Sequence, residues 1–298
     1  MSEVHARRAL EEINKAARRL AACGIESARL DAQLLMAAAA GVTREAAVAG
    51  SIELSHETLK NFETMIARRE KREPVAYLLG RKEFYSLDFE VSRAVLIPRP
   101  ESEIVVAAAL KLIAGAPDAR VLDIGTGSGA IAIAIAVNAP RVRVTAVDIS
   151  ADAIAVASRN AEHHRVEDRV TIRRADCFEI LDGGPALGSF ELIVSNPPYL
   201  DDAEIAALEP EVRVFEPRVA ISAGAGGLDI LRAIAAGAPR HLASDGELIL
   251  EVAAGDATKA AVAKLVEEAG LRVVTVINDL AGHPRVVRAR RGRGRAGA

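Results

Sequence analysis

At positions 196–199 an asparagine, two consecutive prolines and a tyrosine follow directly on the strand-like run ELIVS. Proline fixes φ and offers no backbone N–H, so the carbonyls of Asn196 and Pro197 can be held towards a bound group. These residue types suit chemistry at a planar nitrogen. In an amide or an exocyclic amine the lone pair is delocalised, and full loss of amide resonance would cost ~18–20 kcal/mol, the scale of the peptide rotation barrier. If the side-chain oxygen of Asn196 and the carbonyl of Pro197 accept the two N–H bonds of such a group, its nitrogen is drawn towards a tetrahedral shape. Its lone pair then points at an electrophile, and the developing positive charge meets fixed dipoles. Tyr199 can wall the planar group in by stacking, beside Pro198. The tetrapeptide does not choose the substrate, because a glutamine side chain and the amino groups of adenine, cytosine and guanine present the same planar NH2.

A second constellation lies upstream. VLDIGTGSGA (121–130) closes a strand at Asp123 and then places Gly125, Gly127 and Gly129 at alternate positions. Glycine admits φ > 0 and lets the backbone approach a ligand where a side chain would not. The next strand-like run, VRVTAVD, ends at Asp148, where a carboxylate can accept both hydroxyl protons of a ribose. Dinucleotide enzymes use G-x-G-x-x-G to bring a helix N-terminus up to a pyrophosphate. Here the order is D-x-G-x-G-x-G. The opening acid repels phosphates and suits a cation, such as the amino group and sulfonium of S-adenosylmethionine. That methyl donor is the expected cofactor, in preference to NAD.

The elements that must position these residues are readable from spacing. Residues 4 to about 72 carry apolar side chains at helical intervals (Val4, Leu10, Ile13, Ala17, Leu20, then Leu30, Leu34, Leu35, Ala38), broken by Gly24, Gly41 and Gly50, with a further helix over Leu54 to Arg69. This predicts a small helical bundle without chemistry of its own, suited to docking. Residues 75–100, rich in β-branched and aromatic side chains, predict a hairpin with Gly80 as turn candidate. From Ile104 onward, short apolar runs alternate with helical stretches: Arg120 to Ile124, Val142 to Asp148, Val170 to Arg174, Leu192 to Ser195, Glu247 to Val252, Val273 to Ile277 and Arg285 to Ala289. This is the pattern of an open, largely parallel α/β sheet with helices on both faces. IAIAIAV (131–137) alternates like a strand, but it follows a glycine turn and is half alanine, so a helix is expected.

Composition narrows the classes. Among 298 residues, 38 Lys plus Arg against 41 Asp plus Glu give a net charge of −3, which argues against a chain held on nucleic acid by its overall field. The longest apolar stretch, Ala130 to Val137, is far too short to span a bilayer, and the charged, amphipathic N-terminus has no signal-peptide core. Cys23 and Cys177 stand far apart without metal-ligand spacing, so no metal site is expected and a reducing cytoplasm is the default compartment. His163, His164 and His283 lack partners at catalytic spacing and are expected at the surface.

Beyond these motifs the chain resembles the release-factor glutamine methyltransferases (the PrmC/HemK family) over nearly its whole length. The resemblance rests on EPVAYLLGRKEFYSLDFEV (73–91), LIPRPESE (96–103), VLDIGTGSGAIAIA (121–134), SNPPYL (195–200), EVRVFEPRVAISAGAGGLDILR (211–232) and DLAGHPRVV (279–287). Glycine loops and NPPY occur in many methyltransferases; the first, second and fifth stretches are far more specific. The resemblance implies a Rossmann-like class I methyltransferase fold with a seven-stranded, mostly parallel sheet. Its implied layout is a helical docking domain over 1–73, a hairpin linker over 74–100, a methyltransferase domain over 101–289 and an Arg/Gly tail over 290–298. It implies methyl transfer from S-adenosylmethionine to the glutamine amide of the GGQ motif in class-1 release factors, by a cytoplasmic and monomeric enzyme without stable nucleic-acid or membrane binding. Carried over residue by residue, Gly125, Thr126, Gly127, Ser128 and Gly129 would hold the methionine part and Asp148 the ribose. Asn196 would touch cofactor and substrate alike, with Pro197, Pro198 and Tyr199 clamping the glutamine. The adenine side falls at Asp176-Cys177-Phe178, where Cys177 replaces a frequent aromatic and stacking can pass to Phe178. Arg99 and Glu103 are expected to organise the cofactor's mouth, with Ser102 standing where threonine is common; a helix N-cap with a capping-box acid accounts for the same spacing. FEPR (215–218) either orients the NPPY loop or forms a structural Arg–Glu pair. No site is expected in EVAAGDA (251–257). The alternative reading is an amino-group DNA or RNA methyltransferase with the same NPPY site, against which the acidic stretch DDAEIAALEPE (201–211) counts.

Overall fold

The computed structural model of the chain describes residues 3–116, 118–176, 189–224 and 227–291. Two compact units emerge, one made of the residues up to Arg81 together with Glu209–Phe215, the other of Lys82–Leu208 together with the residues from Glu216 onward.

The first unit is helical: α1 (Glu3–Ala22), α2 (Ala28–Ala40), α3 (Arg44–Val48), α4 (His56–Glu70) and α5 (Val75–Leu79). Its core gathers Ile13, Leu20, Leu35, Met36, Phe62 and Ile66 from three of these helices. Thr43 and Ser55 start α3 and α4 by accepting the N–H groups of Ala46 and Thr58, which helix geometry would otherwise leave unpaired. The VAYLL segment, expected within the hairpin, is the helix α5. Pro74 leads into it, and Gly80, at φ 70°, ends it in the left-handed conformation rather than turning a hairpin. The hairpin itself is β1 (Arg81–Phe84) and β2 (Leu87–Glu90). Its turn is Tyr85-Ser86, both at positive φ (52° and 60°), a costly conformation for such side chains. The carboxylates of Glu103 and Glu83 hold it by accepting the N–H groups of Tyr85 and Ser86.

In the second unit the remaining strands are β3 (Arg120–Ile124), β4 (Arg143–Asp148), β5 (Val170–Arg174), β6 (Phe190–Ser195), β7 (Leu242–Glu251), β8 (Leu271–Asn278) and β9 (Pro284–Arg291). They form one seven-stranded sheet in the order β5-β4-β3-β6-β7-β9-β8, parallel except for β9 against β7 and β8. The strand order reverses between β3 and β6, which sets the topological switch point there. α6 (Glu103–Ile113), α7 (Ala130–Asn138), α8 (Ala151–His163), α11 (Asp229–His241) and α12 (Asp256–Glu268) connect the strands, and the short α9 (Asp202–Ala207) follows β6. The expected helix over IAIAIAV is α7. Every residue from Ala130 to Ala136 is buried, so no polar face exists to reveal the helical period. β9 runs to Arg291, two residues past its expected end, because Glu247 on β7 pairs with both Arg288 and Arg290. The tail beyond Arg291 lies outside the described residues. Among the described residues no helix is long and apolar enough to cross a membrane.

The short α10 (Pro210–Phe215) belongs to the helical unit. Arg69 is buried between Asp31 (2.8 Å) and Glu211 (2.9 Å), and Arg72 pairs with Glu209 and Glu211. Part of the acidity of DDAEIAALEPE is thus committed to internal ion pairs.

Candidate active site

Register brings the motifs together. Ile124 on β3 is paired with Val147 on β4 and with Ser195 on β6, so the carboxyl ends of three adjacent strands release the glycine loop, Asp148 and Asn196 at one level. The Ser195 hydroxyl donates to the Ile124 carbonyl at 2.6 Å and locks β6 to β3 where the two loops diverge. A cavity of about 210 Å³ opens there, lined by Gly125, Gly127, Asp148, Asn196, Pro197 and Pro198 among others.

The loop is folded back on β4: the N–H groups of Gly125 and Thr126 both donate to the Val147 carbonyl. Gly125 and Gly127 have φ 73° and 57°, and a Cβ at either would meet nothing within 4 Å, so both present bare backbone to open space. Gly129 differs. A Cβ there would lie 2.8 Å from Ile133 Cδ1, so this glycine serves close helix packing. Thr126 and Ser128 are buried within the loop: the Thr126 hydroxyl donates to Asp123 Oδ2 at 2.7 Å, and the Ser128 carbonyl accepts from Asn160 Nδ2. Asn160, which the sequence did not single out, also exchanges hydrogen bonds with the backbone of Glu90 and so ties the loop to β2.

Two carboxylates dominate the electrostatics of the loop. Asp148 accepts the N–H of Gly127 on Oδ2 and that of Ser150 on Oδ1, each at 2.9 Å. Asp123 is 1% exposed, and its Oδ1 has no partner. Burial pushes its pKa up to about 7, with the charge of Asp148 adding to the rise and the Thr126 hydroxyl opposing it. An unpartnered buried carboxylate oxygen beneath an open glycine cradle fits a cationic ligand and opposes an anionic one.

Around the tetrapeptide, Asn196 Nδ2 donates to the Ser102 hydroxyl at 3.0 Å. Leu200 forms a bridge with Ser222, so the segment after FEPR flanks the NPPY loop, while Gly227 passes so close that a Cβ would lie 2.6 Å from the Tyr199 carbonyl. Tyr199 is half-buried against the apolar core that includes Leu248, Leu250 and Val252 rather than lining the cavity; burial pushes its phenol up to about 12, so it stays neutral. Arg99 pairs with buried Glu216 at 2.6 Å, which makes FEPR an Arg–Glu anchor. Glu103 does not reach the cavity lining and instead holds the hairpin turn. Ser102 stands at the N-cap of α6, but its hydroxyl makes no cap bond. His164 is half-buried and its Nε2 lies 2.8 Å from the Asp88 carbonyl, whereas His163 and His283 are exposed as expected. Asp176 lines the cavity, and Cys177 and Phe178 lie outside the described residues. Among the described residues no cluster could hold a metal ion.

Glu251 opens EVAAGDA (251–257), where the sequence reading expects no site. It is 1% exposed at the end of β7, and burial pushes its pKa up to about 7. The available signal was an acid closing the apolar run LILE.

Residues 11–80 match the family model "PrmC N-terminal domain", and residues 104–210 match "Methyltransferase small domain". The chain is 42% identical over 284 residues to the release factor glutamine methyltransferase of Cereibacter sphaeroides, covering 95% of this chain and 98% of that one. The chain belongs to the release factor glutamine methyltransferase family. A second member of that family, from Pseudomonas aeruginosa, is 44% identical over 261 residues, with coverage of 87% and 91%. In fold, the chain is similar to a methyltransferase from Pyrococcus furiosus, with a TM-score of 0.50 at 18% identity over 78% of this chain and 99% of that one. Family membership spans both units, since the two matched regions fall one in each.

Proposed function

We propose that this chain methylates the side-chain amide nitrogen of a release-factor glutamine, that of the GGQ motif, with S-adenosylmethionine as donor. The observation that carries the reading is the convergence of a cation-suited glycine cradle, Asp148 and Asn196-Pro197-Pro198 on one cavity at the switch point. The names of the relatives support the substrate class.

S-adenosylmethionine, when bound, supplies an electrophilic methyl group on a sulfonium centre. Gly125 and Gly127 would lie against its methionine part, a bound cation would favour the ionised form of buried Asp123, and Asp148 would take the ribose hydroxyls on the lone pairs left free by Gly127 and Ser150. Asn196 Nδ2 is committed to Ser102, so its Oδ1 is the end available to a substrate. The substrate NH2 donates one hydrogen to Asn196 Oδ1 and the other to the Pro197 carbonyl. Both acceptors are fixed, one by Ser102 and one by the proline pair, and so the nitrogen is oriented without a strong base. Pro198, which lines the cavity, limits the room for the planar group. A general base is unnecessary because the methylated nitrogen is acidic enough to release its proton to water.

Transfer to a nucleic-acid amino group would use the same acceptors. Family membership at 42–44% identity over most of the chain favours the protein substrate. Incubation with labelled S-adenosylmethionine, unmethylated release factor, and bulk DNA and RNA in parallel tests the choice. Label is expected on release factor alone, and label on nucleic acid alone would contradict the reading.

A further inference from the structure

Behind Asn196 stands Glu251, the first residue of EVAAGDA, a stretch in which the sequence predicts no site. β6 and β7 run parallel with Ser195 paired to Leu250, so the next residues, Asn196 and Glu251, leave neighbouring strands side by side. Ser102, 3% exposed at the start of α6, stands at both: its hydroxyl accepts from Asn196 Nδ2 at 3.0 Å and lies close enough to the Glu251 carboxylate to oppose the rise that burial gives its pKa.

An amide NH2 only donates, so Ser102 Oγ must act as acceptor towards Asn196 and send its own proton elsewhere. The carboxylate of Glu251 receives it. Glu251 Oε2 is buried without a partner and so is open to that proton; burial raises the Glu251 pKa to about 7, while the Ser102 hydroxyl and the charges of Arg285 and Arg99 favour the ionised form. Were Glu251 unable to accept, the Ser102 proton would be free to bond Asn196 Oδ1 after a flip of the amide. Nδ2 would then face the substrate NH2, donor against donor.

We propose that Glu251 and Ser102 are positioning residues that set the amide of Asn196 with Oδ1 towards the substrate nitrogen. This rests on the role given to Asn196 above and adds the two residues that make that role possible. Neither need touch substrate or cofactor.

The test uses the full chain with release factor and S-adenosylmethionine. Ser102→Ala and Glu251→Met are each expected to lower kcat about 10- to 100-fold, with KM for release factor and calorimetric affinity for S-adenosylmethionine within about threefold of the unsubstituted chain. Ser102→Thr, which keeps the hydroxyl, recovers most of the loss, and Glu251→Gln, which keeps one acceptor oxygen, recovers part of it. Because both act through one hydroxyl, the double variant Ser102→Ala/Glu251→Met is no slower than the slower single. Unchanged kcat in Ser102→Ala overturns the proposal, even where Glu251→Met fails to fold. Multiplying losses, or a parallel fall in cofactor affinity, overturn it as well. Asn196→Ala run alongside separates the two levels: a slow Asn196→Ala with a normal Ser102→Ala rejects only the positioning roles, whereas a normal Asn196→Ala rejects the reading beneath them.

Discussion

Gly127 donates its N–H to Asp148 Oδ2 at 2.9 Å, a bond that staples the middle of the glycine loop to the end of the neighbouring strand. Asp148 therefore has two duties. It shapes the loop through Gly127 and Ser150, and it offers its remaining lone pairs to the cavity. Hydrogen bonds to a charged group are worth about 1.5–3 kcal/mol each. Asp148→Ala is accordingly expected to weaken S-adenosylmethionine binding by one to two powers of ten in calorimetry. An unchanged affinity would place the ribose contact elsewhere.

Asn196→Ala removes one of the two acceptors proposed for the substrate nitrogen while leaving the loop and Asp148 in place. Turnover is expected to fall by two or more powers of ten, about 3 kcal/mol of transition-state stabilisation, with cofactor affinity nearly unchanged. Steady-state kinetics beside calorimetry check the split, and equal losses in both would assign Asn196 to cofactor binding instead.

Asp123 and Glu251 make stability depend on pH in a direction opposite to that of paired carboxylates. Both are held above their ordinary values of 3.8 and 4.5, at about 7, chiefly by burial. Between about pH 4 and 7 the folded chain keeps protons that the unfolded chain has released. The contribution of these groups is thus fully present below about pH 4 and is lost as pH rises towards 7. A tenfold difference in proton affinity between folded and unfolded chain corresponds to about 1.4 kcal/mol, so the loss amounts to a few kcal/mol. Urea denaturation from about pH 4.5 to 7.5 should show Asp123→Asn with a shallower decline than the unsubstituted chain. Identical pH slopes would mean that Asp123 ionises as an ordinary carboxylate.

Arg69 is the keystone of the helical unit, buried between Asp31 on α2 and Glu211 on α10. Its removal leaves the buried Asp31 carboxylate without its partner while Glu211 keeps Arg72, and breaking a buried pair costs about 3–5 kcal/mol. Arg69→Met is expected to lower the urea midpoint by a corresponding amount and to leave S-adenosylmethionine affinity unchanged. A midpoint equal to that of the unsubstituted chain would show that the network adds nothing to stability.

Much of this was legible in the residues. The order of apolar runs announced the parallel sheet, and the loops at Gly125 and Asn196 fell where strand ends had to deliver them. Local signals failed where a distant partner decides. Gly80 looked like a hairpin turn, yet the turn is Tyr85-Ser86, held in a costly conformation by Glu103, 18 residues away from Tyr85. Glu103 has the place of a capping-box acid at the helix start, but its carboxylate holds the N–H of Tyr85, while the Ser102 hydroxyl accepts from Asn196. Glu251 opens EVAAGDA, a stretch in which no site is expected from the residues alone. Only the pairing of β6 with β7 puts it beside Asn196, and strand pairing between distant segments is what a linear reading resolves least.

The most direct measurement is site-resolved: peptide mass spectrometry of release factor after incubation with the chain and labelled S-adenosylmethionine. One methyl group on the GGQ glutamine amide is expected, absent when that glutamine is replaced and strongly reduced with Asn196→Ala. Unlabelled release factor beside labelled nucleic acid would contradict the assignment, and would mean that Asn196 and Pro197 hold a base rather than an amide.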